Sequence, residues 1–157
     1  KLHFRSLKLG YRNLQSHNIT NVKPIKRALY IRGGKFPFGG PKDNKTMRSL
    51  HMATWQGGKS DETVEAVTLE TLFKDEGIEH VDLMKLDIEG TEIEVLSSLG
   101  FKNVADKIDI IVGESHSWSG RHPNQLKEAL KFNGFSFEML PKKDPKDADI
   151  WVAKRNG

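Results

Sequence analysis

Apolar residues recur along this chain at two spacings, one helical and one alternating, and the two trade places several times. Near the start, Leu7, Tyr11 and Leu14 follow three- and four-residue steps, which predicts a helix over about Phe4 to Ser16. Asn18 to Asn21 reads as a turn. Val22 to Ile31 alternates apolar and basic residues and is predicted as a strand, with Pro24 near its start, where a missing N–H is tolerated. Gly33 to Lys59 is turn-rich. Its pairs Gly33-Gly34, Gly39-Gly40 (followed by Pro41) and Gly57-Gly58 are read as hairpin turns, because none has the strand–loop–helix setting of a phosphate cradle. Met47 to Trp55 is predicted as a strand or hairpin arm.

From Val64 onward the alternation sharpens. Val64 to Val67 is a short strand. Thr68 caps a helix with Leu69, Leu72 and Phe73 on one face, and Gly77 ends it. Val81 to Asp87 is a further strand. Gly90 opens a helix with Ile93, Leu96 and Leu99 on one face and the acids Glu92 and Glu94 in its first turn, where the helix dipole favours them. Ile108 to Gly113 is almost wholly apolar, as in a strand covered on both faces. Pro123 starts a helix carrying Leu126, Ala129 and Leu130, which Gly134 ends. Phe135 to Leu140 and Ala148 to Ala153 are two strands whose short connection suits an antiparallel hairpin. This order predicts an α/β fold: one domain over residues 1–157, with a mostly parallel sheet, helices on both faces and an antiparallel C-terminal hairpin.

Composition narrows the chemistry more than the fold. The 157 residues contain no cysteine, which excludes disulfides, thiolate metal sites and cysteine nucleophiles. The net charge is +4 with both signs scattered. The densest basic stretch, Lys142, Lys143 and Lys146, is broken by Asp144 and Asp147, so it reads as a solvated loop, with no nucleic-acid partner. No apolar run reaches the roughly 20 residues of a membrane span and no signal peptide opens the chain, so the expected location is cytoplasmic.

In open α/β sheets, ligands bind outside the carboxyl ends of the strands. Two such ends are polar here: Lys85 to Glu92 and Gly113 to Trp118. If their strands are neighbours, Asp87, Glu89, Glu114, His116 and Trp118 share one crevice. Asp87 and Glu114 leave apolar strands at the border of core and solvent, where partial desolvation makes a carboxylate a better base. His116 titrates near neutrality and can take a proton from a hydroxyl. Against these roles stand blander ones: Asp87 bonding backbone N–H groups, Glu89 and Glu92 complementing a helix dipole, His122 capping the helix at Pro123. Lys85 alternates onto the face of Asp87 and can pair with it. Oxygen ligands converge, yet no spacing is diagnostic of a metal site, so no metal is predicted.

The segments Val67-Thr68-Leu69-Glu70-Thr71-Leu72, Ile78 to Leu83, and Lys85-Leu86-Asp87-Ile88-Glu89-Gly90-Thr91-Glu92 with Val95-Leu96 resemble the FkbM family of methyltransferases. Ile110 to Glu114 and His116 resemble that family's next strand. The likeness is close from about Val64 to Leu140 and weaker over Leu14 to Leu29. It implies a seven-stranded Rossmann-like methyltransferase sheet, S-adenosylmethionine as methyl donor, and a small-molecule or glycan hydroxyl as acceptor. Under it, Asp87, Glu114 and His116 are the catalytic candidates. Asp87 and Glu89 face the cofactor, and Lys85 and Trp118 face the acceptor. Aligned on Asp87, these residues begin near the helix before the family's third strand. The glycine-rich cofactor loop and the acidic ribose-binding residue are not among them, and the N-terminal strands of the sheet are expected to be missing. Two alternatives therefore stay open: a truncated, non-catalytic Rossmann-like interaction module, and a sugar- or nucleotide-modifying enzyme of another kind.

Overall fold

A computed structural model describes residues 2–41, 49–51, 58–116, 122–142, 144 and 149–157. Helix α1 spans Leu2–Ser16, close to the predicted range. On its expected apolar stripe Tyr11 is half exposed, whereas Leu14 is partly buried. Asn18 follows in the left-handed region at φ 54°, a conformation asparagine tolerates, and turns the chain.

Strand β1 is only Ala28–Leu29, not the ten residues predicted. Val22 and Ile31 are largely exposed, so the outer parts of the predicted strand have no partner to bury them. The predicted turns at Gly33-Gly34 and Gly39-Gly40 are also corrected, because they fall at the entry to and inside strand β2, Gly34–Pro41. That strand pairs antiparallel with β3, Gly58–Val67, and the register shifts between Phe38 and Gly39. A bulge of this kind is where glycine sits in a strand at least cost. Of the arm expected over Met47–Trp55, Ser49 to His51 are described. Ser49 bridges Gly39, and Leu50 and His51 are helical. The rest of that arm lies outside the described residues. β1 joins the other edge of β3 in parallel, giving a three-stranded sheet in the order β1-β3-β2.

Helix α2, Leu69–Glu76, has the caps its sequence predicts. The Thr68 hydroxyl accepts a hydrogen bond from the Thr71 N–H at 3.1 Å, and Gly77 closes the helix in the left-handed conformation at φ 62°. Thr68→Ala is expected to cost about 1 kcal/mol of folding stability, and Thr68→Ser to restore most of it. Urea unfolding followed by circular dichroism checks this; equal midpoints for Thr68→Ala and the parent would rule the cap out.

Strands β4, Val81–Leu86, and β5, Ile108–Ser115, run parallel and adjacent. The single helix expected after Gly90 is instead two short ones, α3 Glu92–Leu96 and α4 Leu99–Lys102. The Ser98 hydroxyl accepts from the Phe101 N–H and donates to the Val95 carbonyl, so it ends one helix and caps the next. Leu99 is thereby turned out, 68% exposed, and Phe101 takes the buried place. Helix α5, Pro123–Phe132, begins with proline in its first turn, as expected, and His122 is its cap. Strands β6, Glu138–Met139, and β7, Asp149–Lys154, pair antiparallel, but β7 inserts between β5 and β6. The second sheet is therefore β4-β5-β7-β6, with one parallel and two antiparallel pairings. The α/β character stands, and the sheet is mixed rather than mostly parallel.

The main core lies between this second sheet and the helices. It joins Leu69 and Phe73 of α2, Val95 and Leu96 of α3, and Leu126 and Leu130 of α5 to Ile108, Ile111, Trp151 and Ala153 of the strands. A smaller core of Leu50, Val64 and Ala66 lies against the first sheet. Among the described residues no helix is long and apolar enough to cross a membrane.

Candidate functional site

Leu86 stands opposite Gly113 across the parallel β4–β5 ladder, so both strands release their next residues at one edge. That register answers the condition posed by the sequence: Asp87, Glu89, Glu114 and His116 do share one site. The His116 imidazole is its centre and is only 8% exposed. Nε2 lies 3.4 Å from Glu89 Oε2, 3.9 Å from Asp87 Oδ1 and 4.0 Å from Glu114 Oε1. Lys85 Nζ donates to Asp87 Oδ2 at 2.8 Å, the pairing that strand alternation predicts. This contact raises the Lys85 pKa and leaves Oδ1 towards the imidazole.

Glu92 has a larger part than a first-turn acid suggests. It is buried, and its carboxylate accepts from the backbone N–H groups of Ile88 and Gly90 at 3.0 to 3.2 Å. His116 Nδ1 lies 3.0 Å from the same carboxylate. Burial alone would raise the Glu92 pKa, but the hydrogen bonds from His116 and the backbone outweigh it and hold the group below the usual carboxylate range. An ionised carboxylate only accepts, so Nδ1 carries the proton and Nε2 is the atom turned to the rim. For His116, burial acts to lower the pKa, yet the bond to Glu92 and the charges of Glu92, Glu89 and Glu114 prevail and raise it. Burial raises the Glu89 pKa against the opposing pull of His116. The loop that makes these contacts is tight: Glu89 sits at φ 56° and Gly90 at φ 104°.

The rim opens on a cavity of about 310 Å³ between the two sheets. Asp87, Ile88, Glu89 and Thr91 form one wall, and Arg27, Leu29, Phe38, Leu50 and Val64 are on the other. Arg27 carried no signal in the sequence, being one of several basic residues in an alternating segment. It donates to Asp75 at 2.7 Å, which raises its pKa. Trp118 lies outside the described residues, so its expected place in the site has no structural counterpart here. His122 is drawn away from the site: it accepts from the Asn124 N–H in a capping box completed by Gln125, the blander of its two roles. Lys142 pairs with Asp149 at 2.8 Å.

Fold and site together define an α/β protein with a carboxylate- and imidazole-lined crevice at the carboxyl ends of two parallel strands. Its family is the FkbM methyltransferases: the methyltransferase FkbM domain matches residues 6–138, most of the chain, and the chain belongs to that family. The match reaches well before Val64, where the close motif resemblance begins. No curated protein and no solved structure shows a significant match.

Proposed function

We propose that the chain is an S-adenosylmethionine-dependent methyltransferase domain acting on a hydroxyl of a small molecule or glycan. The observation that carries this reading is the gathering of Asp87, Glu89, Glu114 and His116 beside the 310 Å³ cavity in a chain of this family.

The residues present fit the charged end of the cofactor. A sulfonium cation is favoured beside carboxylates, and Leu29, Phe38, Leu50 and Val64 offer an apolar wall opposite. Among the described residues no glycine-rich loop joins a strand to a helix, so these residues account for that end alone. When bound, the cofactor supplies an electrophilic methyl group. The chain's own part is to orient the acceptor and take its proton. Asp87, fixed by Lys85, positions the reacting partners, and the hydroxyl proton passes to His116 Nε2 or to the Glu114 carboxylate. Because Glu92 holds Nδ1, a proton taken at Nε2 leaves an imidazolium paired with a carboxylate, as a general base requires.

Asp87→Asn is expected to lower methyl transfer by about 100-fold, the scale on which misplacing a reacting group acts. Transfer from S-adenosylmethionine to a panel of hydroxyl-bearing small molecules and glycans, followed as S-adenosylhomocysteine release, measures it. Full activity in Asp87→Asn removes that residue from the mechanism, and failure of the parent to release any S-adenosylhomocysteine with the whole panel counts against the reaction itself.

A further inference from the structure

We propose that Asp87, Glu89 and His116 bind one divalent first-row transition-metal ion. His116 is buried and its Nδ1 is committed to Glu92, which turns Nε2 towards three carboxylates, two on the loop after β4 and one at the end of β5. One nitrogen and two carboxylate oxygens, one from each of these three residues, lie within 4.8 Å of one another. Ligand atoms about 2.0 to 2.2 Å from a shared ion stand about 3.0 to 3.5 Å apart. The 3.4 Å between Nε2 and the Glu89 oxygen already meets that separation, and the 3.9 Å to Asp87 needs only a small side-chain rotation.

The surroundings are those a metal-binding imidazole uses. A ligating histidine gives its other ring N–H to a carboxylate, which fixes the ring and strengthens it as a ligand. Glu92 has this place, and is itself held by the Ile88 and Gly90 N–H groups. Mixed nitrogen and oxygen donors suit manganese, iron, cobalt or zinc, whereas magnesium and calcium take oxygen alone. Three protein ligands leave coordination positions open, and Asp87 and Glu89 line the cavity, so those positions face that cavity. Under the methyltransferase reading, which gives the ion its use but not its ligands, His116 becomes a ligand and Glu114 remains as the proton acceptor.

A second gathering, His80, Asp82 and Asp109, offers a contrast. It is more open: His80 and Asp82 are both exposed, and it holds no buried imidazole. Its residues serve as the control.

The test is calorimetric titration of Mn²⁺ into the chelator-stripped full chain, with electron paramagnetic resonance of the bound ion. One saturable site with a coupled imidazole nitrogen is expected. Glu92→Gln is expected to weaken binding about 10- to 100-fold, and Glu89→Gln, at a partly exposed position that should not perturb folding, by at least about tenfold. Asp82→Asn should leave affinity unchanged. Absence of saturable binding, a Glu89→Gln affinity within about twofold of the parent's, or loss of the site in Asp82→Asn overturns the proposal. S-adenosylhomocysteine release that persists in chelator without Mn²⁺ binding would overturn the metal site and leave the methyltransferase reading standing.

Discussion

Trp151→Ala is expected to lower the unfolding free energy by about 4 kcal/mol, a large share of the roughly 5 to 15 kcal/mol typical of a domain. Trp151 is fully buried on β7. Its ring lies over Gly113 of β5: a Cβ placed there would stand 2.2 Å from Trp151 Cζ2 and 2.8 Å from the Leu86 carbonyl oxygen. The ring also stacks on Phe137, with centroids 6.0 Å apart. Truncation removes this packing and leaves a cavity at the centre of a four-stranded sheet, where no flexible loop can collapse into it. Gly113→Ala tests the same fit from the opposite side, because the added methyl must displace either the ring or the β4 backbone. Urea unfolding followed by far-ultraviolet circular dichroism gives the number, and avoids the fluorescence of Trp55 and Trp118. A loss under about 1 kcal/mol for Trp151→Ala would mean that the ring is not close-packed.

The second large effect is expected at Glu92. Glu92→Ala leaves the Ile88 and Gly90 N–H groups and the His116 imidazole without their shared acceptor in a buried place. A buried donor left without its acceptor costs about 1 to 3 kcal/mol, and three lose theirs here. Glu92→Gln keeps the shape and one acceptor oxygen, but points an amide donor at donors, and is expected to cost about 2 kcal/mol. The order Ala, then Gln, then parent in rising stability is the expected result. Equal stability of Glu92→Ala and the parent would show that these hydrogen bonds contribute nothing net to folding.

The sequence is most informative where a signal is local. The Thr68 cap, the Gly77 terminator, Pro123 at the head of a helix and the apolar run of β5 each depend on residues within a turn or two of one another. Asp87, Glu89, Glu114 and His116 were legible as a group because a parallel β4–β5 pairing alone suffices to bring their loops together. β2 escapes a local reading because Gly39-Gly40-Pro41 has turn chemistry, and only the distant partner β3 makes it a strand. Leu99 kept helical spacing with Ile93 and Leu96, but the Ser98 hydroxyl broke the helix and turned it outward. The part played by Glu92 is hidden from the sequence because an acid in a first helical turn already has a sufficient local explanation, whereas its partner His116 is 24 residues away.

The insertion of β7 between β5 and β6 bears on the order in which the protein comes into being. One edge of β5 is satisfied by β4, made some 25 residues earlier; the other waits for Asp149–Lys154, made more than 30 residues after His116. On the ribosome, Glu114 thus emerges on a strand with one open edge, with His116 just beyond its end. The crevice gains its rigid backing only when β7 arrives and Trp151 closes over Gly113. The acidic rim is thus encoded ahead of the strand that backs it, and its assembly waits for residues made after it.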